Sequence, residues 1–282
     1  VIENEKNKYF EYSGATDKGK IREKNEDALA CFETINGTIF VICDGMGGHK
    51  SGDVAANIAI QCVREFFSTH FYENPYLALH DAIFFANQKV YSEAQKHTQY
   101  FGMGTTIAIV LFRSKKIYYA HAGDSRIYLF SHNQLKTLTK DDSYVQRLVD
   151  KKVISEKDAA EHPRRHEITK AIGIFFDIQP SICNVSIKPT TNEVILLCTD
   201  GLNSMLTNEE IEYIVYQDLT LSKKVEQLID RANDEGGYDN ITVQLIKFTN
   251  LHPAPPTTQS EIIIEEKESF FKKIFKKIFV SQ

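Results

Sequence analysis

Four aspartates stand where apolar stretches end or begin, and that repeated placement is the first sign of chemistry in this chain. Val41-Ile42-Cys43 runs into Asp44-Gly45, and Leu196-Leu197-Cys198-Thr199 runs into Asp200-Gly201. Ile117–Ala120 leads out to Gly123-Asp124-Ser125-Arg126, and Tyr238-Asp239-Asn240 directly precedes the apolar stretch at Ile241. A carboxylate at the mouth of an apolar sheet is costly to desolvate unless positive charge lies beside it. Few lysines or arginines adjoin these positions, so divalent cations are the economical counter-charge. An all-oxygen donor set without Cys or His suits hard ions, Mg2+ or Mn2+, rather than zinc. Gly45, lacking a side chain, would let a backbone carbonyl approach such an ion. One Asp-Gly pair is also an ordinary turn signal; recurrence at four ends is what favours a metal site.

Upstream, Arg22 precedes Glu26-Asp27 within a charged run. An arginine so placed could hold a phosphate through two parallel hydrogen bonds while the acids orient water on the metals. Taken alone, the run reads as a solvated surface. Gly45-Met46-Gly47-Gly48-His49-Lys50-Ser51 ends in Lys-Ser like a nucleotide phosphate loop, but His49 stands where that loop requires glycine. The dinucleotide pattern G-x-G-x-x-G fails at Lys50, so nucleotide binding is not supported.

The elements that must position these residues are legible as short apolar, β-branched runs. Thr38–Cys43, Thr105–Phe112, Lys116–Ala120, Glu193–Thr199 and Ile241–Phe248 each have strand length. Helical periodicity follows Gly52, where Val54, Ile58, Cys62 and Phe66 recur, and returns over Leu77–Ala94 and Leu221–Ala232. Only Arg113, Ser114 and Lys115 separate the second strand from the third, which predicts an antiparallel hairpin and an α+β class. From about 141 to 173 the chain is highly charged, with short helical patterns at Val145–Val149 and Glu156–Ala160. Pro253, Pro255 and Pro256 predict a linker over 250–260.

Taken in order, several segments resemble the protein phosphatase 2C (PPM) family of metal-dependent Ser/Thr phosphatases, of bacterial type. They are Arg22…Asn25-Glu26-Asp27, Asp44-Gly45-Met46-Gly47-Gly48-His49, Gly102-Met103-Gly104-Thr105-Thr106, Gly123-Asp124-Ser125-Arg126, Thr199-Asp200-Gly201-Leu202 and Asp239-Asn240-Ile241-Thr242. The likeness implies a four-layer α-β-β-α sandwich of two antiparallel sheets flanked by helices, with the charged segment as a small flap. It also implies a domain over 9–249 and a tail over 261–282. By resemblance, Asp44 bridges two ions with help from the Gly45 carbonyl, and Asp200 and Asp239 complete the first shell. Asp124 with Asp200 would hold a weaker third ion, Arg22 would clamp phosphate, and Glu26 and Asp27 would act through metal-bound water. His49 and Ser125 would lie near substrate. The implied reaction is hydrolysis of phosphoserine or phosphothreonine by a water that two cations acidify, without a phosphoenzyme. Phosphorylated proteins and a cognate Ser/Thr kinase are the implied partners.

Three positions depart from the family's pattern. Met46 stands where eukaryotic members carry a histidine proposed as general acid, so leaving-group protonation falls to metal-bound water or another group. Asp141-Asp142-Ser143 replaces a more usual Asp-His-Ser, and His166 stands where Asn is common. A binding module that keeps the fold without catalysis is the competing reading, and it has little need of four aspartates and Arg22 together.

A formal net charge of -5 gives no general affinity for nucleic acid. Five scattered cysteines without a C-x-x-C pair indicate neither zinc site nor disulfide framework. No apolar run approaches the ~20 residues of a membrane span, and Val1–Tyr9 has no signal-peptide core, so the expected location is cytoplasmic. One exception is local. Over 269–280, Phe270, Phe271, Ile274, Phe275, Ile278 and Phe279 fall on one side of a helical wheel, and Lys272, Lys273, Lys276 and Lys277 on the other. Such a cationic amphipathic helix suits an anionic membrane surface, a partner's groove or the chain's own domain.

Overall fold

A computed structural model describes residues 2–6, 8–47, 51–183, 186–249 and 262–263. Two antiparallel sheets lie face to face. The first runs in the order β1 (Ile2–Lys6), β2 (Phe10–Asp17), β14 (Ile241–Phe248), β13 (Val194–Cys198), β9 (Arg126–Ser131) and β10 (Gln134–Thr137). The second runs β15 (Ile262–Ile263), β12 (Ser186–Ile187), β8 (Lys116–Ala122), β7 (Ile107–Arg113), β4 (Gly37–Cys43) and β3 (Ala28–Thr34), with β11 (Ser181–Ile182) also on β8. A short ribbon of β5 (Gly45–Met46) and β6 (Gly104–Thr105) extends from the active end. Helices α1 (Gly52–Thr69) and α2 (Pro75–Lys96) cover the second sheet. Helices α5 (Asp200–Asn203), α6 (Asn208–Tyr216) and α7 (Leu221–Asp234) cover the first.

This layering explains why the strands look apolar throughout rather than alternating. In β4, Phe40 and Ile42 face the opposite sheet, while Ile39, Val41 and Cys43 face the helices. In β13, Ile195 and Leu197 point between the sheets, and Val194, Leu196 and Cys198 point outward. Both faces are buried, so the period of two survives in the geometry and vanishes from the sequence. The expected hairpin is present with a tighter turn. Arg113 pairs with Lys116, leaving Ser114 and Lys115 at φ 52 and 59, as a two-residue hairpin turn demands.

Strands β2, β3 and β9 and helix α6 add to the elements expected. The β2 sequence Phe10-Glu11-Tyr12-Ser13-Gly14-Ala15-Thr16-Asp17 is small and mixed, and it becomes a central strand by pairing with all eight residues of β14. Pairing also reaches past the expected 9–249 domain: β1 joins β2, and Ile262–Ile263 joins Ser186–Ile187. The polar Ile-Glu-Asn-Glu-Lys of β1 has no buried-strand signature because it sits at a sheet edge. The charged segment carries α3 (Tyr144–Asp150) and α4 (Glu156–Glu161) and is tied to the body where Ile172 bridges Thr105. Among the described residues no helix is long and apolar enough to cross a membrane. The predicted helix over 269–280 lies outside the described residues, as does His49.

Candidate active site

The acids gather because three separate loops are tied at one end of the sandwich. Asp44 follows β4, and its backbone is held on both sides: its N–H donates to Thr106 Oγ1 at 3.0 Å, and its carbonyl accepts from Thr106 N–H at 2.9 Å. Asp200 opens α5, one residue beyond β13. Gly201 is obligatory there, since a Cβ would fall 1.9 Å from the Asn240 carbonyl oxygen. That close approach brings the start of α5 against the loop carrying Asp239. Asn240 in turn accepts from Glu26 N–H at 2.8 Å and donates to the carbonyls of Lys18 and Lys24, each at 2.9 Å. One buried amide thereby anchors the Arg22 loop beside Asp239.

Asp27 is buried and accepts from Thr242 Oγ1 at 2.6 Å and Thr199 Oγ1 at 2.8 Å. Desolvation still dominates and pushes its pKa up to about 7, with Asp200 and Asp239 adding to the rise. Asp44 rises well above the carboxylate range, chiefly by burial, then by repulsion from Asp27, Asp200, Asp124 and Asp239. Asp124 is raised to about 8 by burial and by Asp200 and Asp141. Asp239 is raised by burial and Asp200, against the opposing pull of Arg22. One oxygen of Asp200, Oδ1, is buried with no hydrogen-bond partner.

Such a group of acids is unfinished. Mutual repulsion and an orphaned carboxylate oxygen are what a site for a hard divalent cation presents before the cation is counted. Asp44, Asp200, Asp239 and Asp124 fit that role by donor chemistry. Among the described residues, no three Asp, Glu, His or Cys side chains by themselves make a closed ligand group for one ion. Ions that retain several waters and need only one or two carboxylates each suit this arrangement, as Mg2+ does.

The other expected residues divide. Arg22 reaches the site but donates to Asp239 Oδ2 at 2.7 Å. Burial opposes its charge, yet Asp239, Asp44 and Asp200 outweigh burial and raise its pKa. Glu26 is turned to a structural task, its Oε1 accepting from Gly52 N–H at the start of α1. Gly45 is required sterically, because a Cβ would meet the carbonyl oxygens of Gly52 at 2.3 Å and Glu26 at 2.4 Å. Ser125 corrects its expectation: it is buried, and its hydroxyl bonds to Thr106 Oγ1 at 2.7 Å. It therefore braces the residue that holds Asp44 instead of facing substrate. His166 stands 3.7 Å from Asp200 Oδ2, and that carboxylate raises its pKa. The sequence reading did not single out Thr106, Thr199, Thr242 or Asn240 as the holders of these acids, although each stood inside or beside a quoted motif.

The model of the protein phosphatase 2C family matches residues 20–247. The chain belongs to the protein phosphatase 2C family. It is 35% identical over 237 residues to a serine/threonine phosphatase, stp, of Listeria monocytogenes, covering 82% of this chain and 93% of that one. The serine/threonine phosphatase of S. agalactiae superposes with TM-score 0.80 at 33% identity, covering 85% of this chain and 99% of that chain. The catalytic domain of the phosphatase PstP, solved with two manganese ions, gives TM-score 0.76 at 28% identity over 86% and 99% of the two chains. This protein phosphatase 2C member is thus a protein-serine/threonine phosphatase with the family's two-sheet α+β fold. The unmatched acids at one end of that fold are the site consistent with its metal dependence.

Proposed function

We propose that the chain hydrolyses phosphoserine and phosphothreonine in proteins by direct attack of water, with no phosphorylated enzyme intermediate. The observation that carries this reading is a buried cluster of raised-pKa carboxylates with no nucleophilic side chain free to act among them. Cys43 precedes Asp44, yet burial raises its thiol far above the usual range. Cys198 is buried too, with its pKa pushed up to about 12. Ser125 is buried against Thr106. These side chains are in the wrong state to attack phosphorus, and water is left as the nucleophile.

Asp44, Asp200 and Asp239 would hold two Mn2+ or Mg2+ ions, with Asp124 and Asp200 holding a weaker third. Bound there, the ions would supply an acidified water and positive charge against the phosphoryl oxygens. Arg22 holds its guanidinium at the same mouth, half-exposed, with donors beyond the one on Asp239 available to a phosphate. Asp27 acts at one remove: by accepting from Thr199 and Thr242, it fixes the segments that carry Asp200 and Asp239. The tail over 269–280 is proposed as a contact for membrane or partner protein.

The deciding assay is turnover of a phosphothreonine peptide with Mn2+, with EDTA and Asp44→Ala as controls. Metal-dependent release of phosphate is expected, and no radiolabel should remain on protein after acid quench of a labelled substrate. Acid-stable label on the chain would overturn attack by water.

A further inference from the structure

Three phenylalanines are conspicuously exposed beside the acid cluster: Phe101 at 77%, Phe175 at 69% and Phe176 at 59%. The segment that displays two of them is rigidly built. Asn87, fully buried on α2, accepts from Gly173 N–H at 2.8 Å and donates to the carbonyls of Phe175 and Phe176, each at 2.9 Å. Gly173 adopts φ +86, and a Cβ there would lie 2.3 Å from Val90 Cγ1. The loop is thus pinned to α2 through backbone groups alone. Its conformation asks nothing of the side chains at 175 and 176, so the fold does not account for aromatic rings there. Phe176 has an edge contact with Tyr91. By contrast, the exposed Phe71 lies beneath the Arg113 guanidinium at 4.3 Å.

Their position follows from strand register. Gly45 pairs with Thr105 and Met46 with Gly104, and Thr105 pairs on its other side with Ile172. Two strand spacings of ~4.8 Å put the Ile172 strand about 10 Å from the Asp44-Gly45 end. Phe101 precedes β6 and Phe175 follows Ile172, so both extend from the same end of this three-strand ribbon. The aromatic face is therefore continuous with the mouth where a phosphoprotein must enter. An extended peptide covers about 10 Å in three residues.

Resting on the phosphatase reading above, we infer that Phe101, Phe175 and Phe176 form a docking platform for an apolar side chain of the substrate, about three residues from the phosphorylated one. The occupant is a phosphoprotein segment carrying Leu, Ile or Phe at that distance. Burying one such side chain would favour it about tenfold over a serine at the same position.

The test uses the full chain with Mn2+, two phosphothreonine peptides that differ only in Phe or Ser three residues to either side, and a small aryl phosphate. Wild-type protein should prefer one Phe peptide over its Ser counterpart by about tenfold in kcat/KM, mainly through KM. The double variant Phe101→Ser/Phe175→Ser should erase that preference and leave aryl phosphate turnover unchanged. A wild-type enzyme without the preference, or a preference that survives in the variant, overturns the platform. So does a parallel loss of aryl phosphate turnover, which would make the face structural. A wild-type dimer that the variant converts to monomer, with no peptide preference, would assign the face to a second copy and overturn it too. Absence of Mn2+-dependent aryl phosphate turnover in wild type is a different result, and it would sink the phosphatase reading itself.

Discussion

Asp124 and Asp141 both sit in the loops at the active end of the sandwich, and both interact with Arg126, yet they end in opposite states. Asp141 is matched: Arg126 donates to its two oxygens at 2.9 and 2.7 Å. Asp124, two residues before that arginine, receives only a weak opposing pull from it and is raised to about 8 by burial and Asp200. A paired carboxylate is a finished structural element. An unpaired one is a site waiting for charge from outside. The same contrast separates Asp239, partly matched by Arg22, from Asp44, which has repulsive neighbours on several sides.

Removing a member of the unmatched group should cost chemistry more than stability. Asp44→Ala is expected to lower kcat on a phosphothreonine peptide by about a thousandfold or more, on the scale of losing a charge-stabilising group. In EDTA its thermal midpoint should equal or exceed that of wild type, because a buried repulsive charge is gone. A lower midpoint would contradict the comparison. The matched pair should behave the other way. Arg126→Met is expected to destabilise the fold by about 2–3 kcal/mol, the low side of the range for a broken buried pair since the arginine side chain keeps 29% exposure. Denaturant titration reads that loss, and a near-zero effect would make the pair no better than a surface contact.

The two groups should also separate by pH. Asp27 and Asp124 have folded pKa values raised to about 7 and about 8, above the ordinary 3.8. Between those limits the folded chain binds more protons than the unfolded one, so stability must fall as pH rises. Without metal, the thermal midpoint is expected to drop by about 5 °C or more between about pH 5 and pH 8, and added Mn2+ should restore it most at the higher pH. A midpoint that rises with pH in EDTA would mean that these acids are paired after all. The smallest expected effect is at the edge of the cluster. Asp124→Ala should reduce turnover by about tenfold while calorimetric titration still finds the two-ion occupancy, as suits a ligand of a weaker third ion. Equal loss of all bound Mn2+ would place Asp124 in the core.

The strands that end at Asp44 and Asp200 were readable because β4 and β13 are apolar on both faces, a pattern that little besides a doubly covered sheet produces. Strand β2 was not, since Ser13, Gly14 and Ala15 carry no such signal and become central only through β14. Asp44, Asp200 and Asp239 could be picked out by their place beside apolar runs. The side chains that hold the acids could not. Asn240 binds residues more than two hundred positions away, and Thr106 meets Asp44 across sixty-two. Ser125 shows the limit from the other side, since its place next to Asp124 suggested substrate contact and only packing turned it inward.

By itself, then, the sequence determined the sheet-forming runs, the acids at their ends and the hardness of any ion those acids could hold, because these depend on residue type and local order. Which carboxylates are matched and which are left repelling one another was decided only in the tertiary structure. The energy of a buried charge is set by its neighbours in space, and Arg126 finding Asp141 while Asp200 Oδ1 finds no partner is a fact of packing that no local pattern records.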